Sequence, residues 1–316
     1  MKEALSFPEL SASTDQRPAR CPGCGRVGMG WHQQRSRPVT DLKLSAVELV
    51  QYQCEGCGAS LTVTPPGLQV GCRHSDRTKA LSVVLWGLGL SYRDTERVMK
   101  GIGLPISHVA VILNVRAMGA AAIARHKKAA SRIKAPVLGA EETEVKLSGK
   151  GVTVGFLTAP QTGEIVGMEI LASREGEELA RWIVEAAKHF GAKALVSDEL
   201  ECYKPAAEAA GLEHQLCLAH WRKATARRLK KITGYQQTHQ RFRDRLGRKV
   251  PRTYQVPATN NACENAIGRG GKPARPGIRA KRTRGFKRAD TVLPIMFLLA
   301  SLGGVLAGVP FQSLIG

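Results

Sequence analysis

Acidic residues are scarce where the chain is most basic. Between residues 221 and 288 only Asp244 and Glu264 stand against 21 lysines and arginines. The whole 316-residue chain carries 26 acids against 47 bases, a formal net charge of +21. Cysteine is sparse too. Eight in a chain of this length cannot staple a disulfide scaffold, and their close pairing points to metal in a reducing compartment. The 33 glycines follow no triplet, which excludes collagen, and 43% hydrophobic content excludes a wholly disordered polymer. No internal repeat is present. The opening residues lack the basic, apolar and small-residue order of a signal peptide. A cytoplasmic protein with an anionic partner and no membrane partner is expected.

The charge lies in blocks. Residues 1–136 are net +10, residues 137–213 net −7 and residues 221–288 net +19. Solubility does not require such blocks. A polyphosphate partner flanking an acid-lined metal site does, the bland alternative being solvated basic faces on an unrelated enzyme.

Length allows several domains, and composition suggests four regions. Residues 1–20 read as a flexible arm, 21–70 as a zinc ribbon, 71–135 as a helix-turn-helix domain and 136–316 as an α/β domain. In the ribbon, Cys21-Pro-Gly-Cys24 and Cys54-Glu-Gly-Cys57 are two C-x-x-C knuckles, each followed by glycine, Gly25 and Gly58. Four thiolates close a tetrahedral Zn²⁺ shell, so the expected zinc is structural and not catalytic. The 29 residues between the pairs exceed the usual spacing of about 15–20, and a longer β-hairpin accommodates them. Cys72 is expected to stay outside the site.

Residues 76–128 read as three helices. Asp76 is the expected cap of the first, Ser91 with Asp94 opens the second, and Ser107 caps the third after the Gly101–Ser107 turn. Short helix, glycine-rich turn and longer helix is helix-turn-helix grammar. Arg93, Arg97, Lys100, Arg116, Arg125, Lys127 and Lys128 are available for phosphates, as are Arg282, Arg284 and Lys287 in the late basic arm. Trp221 and Phe286 suit either base stacking or core.

Strand-like runs at 137–147, 152–158 and 164–170 precede an amphipathic helix at 175–190 and a short strand at 194–196. A fifth strand is expected near His214–Cys217, followed by basic helix. The fold class is therefore α/β, with a ribonuclease-H-like β-β-β-α-β-α core behind the ribbon and the helical domain. The last 26 residues carry no charge, yet Pro294, Gly303, Gly304 and Pro310 interrupt them. They read as a terminal helix packed on the sheet, not a membrane span.

Three acids have distinctive neighbours. Glu141 lies within the first strand, Asp198 ends the fourth, and Glu264 follows Thr259-Asn260-Asn261 in a late helix. Paired divalent metals need carboxylates converging from separate elements. Here the chain resembles the DDE transposases of bacterial insertion sequences, in the broad group that includes the Mutator-like elements. The residues that carry the resemblance are Glu141-Glu142-Thr143, Gly149-Lys150, Thr162-Gly163, Asp198 with Tyr203, Cys217-Leu-Ala-His220, Thr259 to Glu264, and Arg284-Gly285-Phe286-Lys287. It spans residues 21–290.

The resemblance implies an enzyme in which Glu141, Asp198 and Glu264 hold two Mg²⁺ (or Mn²⁺) for DNA cleavage and strand transfer. Cys217 and His220 would be accessory, as orienting or packing groups. The implied partners are double-stranded DNA, as element ends and target, and further copies of the chain, at least a dimer. Two departures stand out. The first acid is Glu141 where the family has Asp, a displacement of more than about 1 Å on a scale that can cost 100-fold. Alternation sets Glu142 on the other strand face. The spacing from Asp198 to Glu264 is only 66 residues. Two rival readings therefore stand: a catalytically impaired or domesticated transposase that binds DNA, and a zinc-ribbon transcription factor with an unrelated effector domain.

Overall fold

Turn residues fix most of the strand pairing. The computed structural model describes residues 7–14, 16–171, 177–198, 200–229, 263 and 288–306. The chain divides into two units, one of residues 1–118 with 302–316 and one of residues 119–301.

The first unit begins with β1 (Gly30–Pro38), β2 (Ala46–Gln53) and β3 (Ser60–Val63), an antiparallel sheet in that order. The β1–β2 hairpin fills the interval between the two cysteine pairs. Val47 and Leu49 join Leu10, Val39 and Leu68 in one apolar cluster, while Val50 and Tyr52 join Met29, Cys21 and Cys54 in another. The flexible arm expected over 1–20 is thus held at its centre. Leu10 is buried, the Ser11 amide donates to the Pro66 carbonyl, and the Ala12 carbonyl accepts from the Glu48 amide.

Three helices follow: α1 (Asp76–Gly87), α2 (Tyr92–Gly101) and α3 (His108–Ala130). The cap of α1 is Ser75 and not the expected Asp76. The Ser75 hydroxyl accepts from the Thr78 amide at 3.1 Å and donates to Asp41 Oδ2 at 2.6 Å. A hydroxyl can do both, whereas the Asp76 carboxylate could only accept. Asp41 also accepts from the Lys43 and Leu44 amides and lies 3.6 Å from the Arg77 guanidinium. Burial pushes the Asp41 carboxyl up, but the Ser75 hydroxyl, those amides and Arg77 more than offset it, leaving it below the ordinary value. Ser91 and Ser107 accept from the Asp94 and Ala110 amides at the starts of α2 and α3, as their spacing predicts.

The second unit holds β4 (Val137–Leu147), β5 (Lys150–Ala159), β6 (Glu164–Leu171), α4 (Glu177–Phe190), β7 (Ala194–Ser197), α5 (Tyr203–Ala209), β8 (Glu213–Leu216) and α6 (Leu218–Leu229). The sheet order is β6-β5-β4-β7-β8, with the first three strands antiparallel and β7 and β8 parallel to β4. That order and sense is the ribonuclease-H-like fold. Ser148 and Gly149 both take positive φ, 50° and 87°, the two-residue hairpin turn that matches strand twist.

One sheet face carries α4 and α5. Leu179, Ile183, Ala187 and Phe190 pack on Leu138, Ala140, Leu157 and Leu171. Trp182 joins them because Gly155 leaves room: a Cβ there would lie 2.6 Å from the indole. On the other face Val137, Ala194 and Val196 gather around Cys217, just before α6.

Among the described residues the uncharged C-terminal stretch contributes α7 (Val292–Leu306). The expected seat on the sheet gives way to a seat on a helix. Pro294 fits against Gly119 of α3, where a Cβ would come within 2.9 Å, and Phe297 lies 4.6 Å from the His126 ring. Glycine on α3 allows that close approach. Among the described residues α3 is the one helix long and apolar enough to cross a membrane, by length and composition alone. Its stripe of Val111, Val115 and Ala122 is buried in protein.

Candidate active site and metal centre

Register brings two of the three acids together. β4 pairs with β7 in parallel, Val137 with Ala194, Leu138 with Leu195 and Gly139 with Val196. Continued two residues past the last pair, the same register sets Glu141 of β4 opposite Asp198, one residue beyond the end of β7. Successive side chains of a strand point to opposite faces of the sheet. Glu142 turns toward the α5 face and Glu141 toward the α6 face, where the Glu141 side chain is 15% exposed.

Each neighbour has a nameable role. His220 Nε2 on α6 is 3.9 Å from Glu141 Oε1, a charge contact when the imidazole is protonated and too long for a hydrogen bond. Asp198 Oδ1 accepts from the Leu200 amide at 3.1 Å, which folds the chain back after the strand. Ser197 Oγ lies 2.8 Å from His214 Nε2 and donates to the Asp198 carbonyl at 3.1 Å. Cys217 is buried, and its amide donates to the Ser197 carbonyl at 2.6 Å. It packs; His220, one turn on, reaches the acid.

Residue pattern alone did not show the Tyr203–Glu142 bond. The Tyr203 phenol, 1% exposed, donates to Glu142 Oε2 at 2.7 Å. Burial pushes this phenol well above its ordinary pKa, and the negative charges of Glu142 and Asp198 push the same way. The bond ties α5, which follows the Asp198 loop, to the strand that carries Glu141. The signal was present as the tyrosine five residues after Asp198, but its partner needed the fold.

Glu264, Arg282, Arg284 and Lys287 lie outside the described residues. The residue before Glu264 does not. Cys263 is helical and fully buried, with its Sγ 3.1 Å from Thr158 Oγ1 and 3.9 Å from the Phe156 carbonyl. Phe156 is the β5 partner of Glu141 in the sheet register. Arg93, Arg97 and Lys100 lie exposed along α2, and Arg116 lies exposed on α3.

The thiols converge without help from distant chain. Cys21 Sγ is 3.6 Å from Cys57 Sγ, Cys24 Sγ is 3.7 Å from Cys54 Sγ, and all four lie within 4.8 Å of one another. A tetrahedral zinc with bonds of about 2.3 Å needs sulfurs about 3.8 Å apart, so the set fits that ion. Gly25 and Gly58, at φ 73° and 71°, turn the chain after each knuckle. Amides of Cys57 and Gly56 hold the Cys54 thiol down at about 6. At Cys57 the Ala59 amide is outweighed by the crowding Cys24 and Cys21 thiols, which push it up to about 12, so the thiols titrate together and not as independent groups. Cys72 stands outside the cluster, as expected. Among the described residues no second group of three or more such donors converges in this way.

Residues 75–250 match the family model described as "Transposase IS66 family", a span that begins at the α1 cap and includes Glu141 and Asp198. No curated protein matches the chain. Two solved structures are similar at low identity. One is the catalytic core domain of BIV integrase, at 9% identity over 52% of this chain and 82% of that one, with a TM-score of 0.31. The other is a simian T-cell lymphotropic virus intasome in complex with PP2A regulatory subunit B56 gamma. There the identity is 10% over 52% of this chain and 48% of that one, with a TM-score of 0.33. The fold assignment rests on the strand order and not on these two likenesses.

Proposed function

Because the chain belongs to the IS66 transposase family, we propose that it is the DNA transposase of an insertion sequence, binding element ends and catalysing metal-dependent cleavage and strand transfer. One observation carries the reading. Glu141 lies two residues beyond Gly139, Asp198 lies two beyond its register partner Val196, and the strands run parallel. Glu264 is proposed as the third carboxylate, supported by the buried seat of Cys263 against β5.

When bound, a pair of Mg²⁺ or Mn²⁺ ions supplies Lewis acidity to the attacking and leaving oxygens of a phosphodiester. The three carboxylates would hold the ions, and His220, 3.9 Å from Glu141, would steady that carboxylate when protonated. Tyr203 keeps Glu142 turned away from the site. Water and then a DNA 3′-OH are the nucleophiles, with no covalent protein intermediate. Cys21, Cys24, Cys54 and Cys57 hold a structural zinc. The cations of α2 and α3, with Arg282, Arg284 and Lys287, take DNA phosphates, and joining two ends calls for at least a dimer. Residues 21–70 are the zinc ribbon, 71–135 the helix-turn-helix domain and 136–316 the catalytic domain.

The test is strand transfer or nicking of DNA carrying the element's own ends, with Mg²⁺ or Mn²⁺. The chain as written should act, and Asp198→Ala should abolish the reaction. Silence rescued by Glu141→Asp would identify a decayed transposase that still folds. Silence in both, with salt-sensitive DNA binding retained, would favour the domesticated DNA-binding protein.

A further inference from the structure

We infer that the N-terminal half of α3 reads thymine methyl groups in the DNA major groove through Val109 and Leu113. The inference rests on the DNA-binding part of the function proposed above. Val109 and Leu113 are 53% and 57% exposed, although the opposite face of the same helix, Val111 and Val115, is buried. Their spacing, with Arg116 three residues further on, sets all three in one stripe. One turn apart, the two branched side chains form a small apolar stripe on the exposed face of α3.

The neighbouring helix identifies the partner. Arg93, Arg97 and Lys100 repeat at the same four- and three-residue intervals on α2, and all three are exposed. Arg97 stands in a solvent-facing ion pair with Asp94 at 3.2 Å, which a phosphate would have to exchange. His108 Nδ1 on α3 lies 2.8 Å from Glu96 Oε2 on α2. Glu96 is one turn from both Arg93 and Lys100, and His108 directly precedes Val109. The bridge therefore joins the border of the cationic stripe to the border of the apolar one.

Cations along one helix and apolar branches along the next suit a duplex. Phosphates take the arginines and lysine, while the thymine 5-methyl is the apolar group that a base edge presents in the major groove. A second copy of the chain docked symmetrically on this face would set cation against cation. DNA is the occupant that the charge favours.

The experiment enriches duplexes from a random library with the full chain, then remakes them with deoxyuridine for thymidine. That change removes the 5-methyl groups alone. Each contacted methyl lost should weaken binding about fourfold, the value of one CH₂-sized group withdrawn from water. Leu113→Ser and Val109→Ser, both at exposed positions, should keep the thermal transition and lose most of the thymidine preference. Equal affinity of the unaltered chain for both duplexes, with binding intact and salt-sensitive, overturns the methyl reading and leaves DNA binding standing. Enrichment of no duplex removes both. If Leu113→Ser dissociates an oligomer in sedimentation while the thymidine preference stays, the face joins copies of the chain and the inference fails.

Discussion

The thiols and the carboxylates are gathered by opposite means. Cys21, Cys24, Cys54 and Cys57 come from two short knuckles at either end of one hairpin, and local turns with positive-φ glycines aim them. Glu141 and Asp198 come from separate strands, and only the parallel pairing of β4 with β7 brings them level. A local site depends on its own few bonds; a site built by register depends on the whole core behind it. The two should fail differently.

The largest expected effect is on the thiols. Cys54→Ser should empty the ribbon of zinc, whose apparent binding energy in small domains is on the order of 10–16 kcal/mol. Metal content per chain, by elemental analysis, checks this, and one zinc retained would show that the ligand set is wrong. The melting of the α/β unit should be untouched, because its core contains none of these residues. Ile183→Ala reverses the pattern. It leaves a cavity under β4 and should cost about 2–5 kcal/mol and much of the strand transfer, while zinc content stays. A fall in zinc alongside the fall in melting temperature would break the distinction.

Tyr203→Phe sharpens it. Loss of a buried hydrogen bond to a carboxylate should cost about 1.5–3 kcal/mol. It should also weaken Mn²⁺ binding, read as the metal-induced rise in melting temperature. A stability loss with that rise unchanged would make Tyr203 a packing residue only. The smallest effect belongs to Asp41. Its carboxyl titrates below the ordinary value when folded, so its contribution is present above about pH 4 and is lost as the pH falls through the folded value. Thermal melts from pH 6 to pH 2 should show a slope that Asp41→Asn lessens; equal slopes would count against the buried network with Ser75 and Arg77.

Features set by neighbouring residues were legible in the sequence. The knuckles, the Ser91 cap and the alternation that splits Glu141 from Glu142 all follow from spacing of a few residues. The cap of α1 was misassigned because Asp41, which accepts the Ser75 proton, lies 34 residues away. The seat of α7 could not be read either. An evenly apolar helix gives no face to follow, and its partner surface was created by the missing side chain of Gly119. The same holds for Tyr203 and Glu142, 61 residues apart. The match to the transposase family begins at residue 75, so the ribbon had to be read from its own cysteines.

The seat of Cys263 on Thr158 changes how the short interval between Asp198 and Glu264 should be weighed. A pinned point fixes where the chain returns to the sheet, whatever the number of residues before it. For a connecting segment, added length enters the free energy of closure only as a logarithm, about 0.6 kcal/mol per doubling. Insertions and deletions between the end of α6 at Leu229 and Cys263 are therefore expected to cost the sheet little, unlike any that fall in α5, β8 or α6. Relatives should differ widely in the length of that stretch while keeping a small buried residue where it ends.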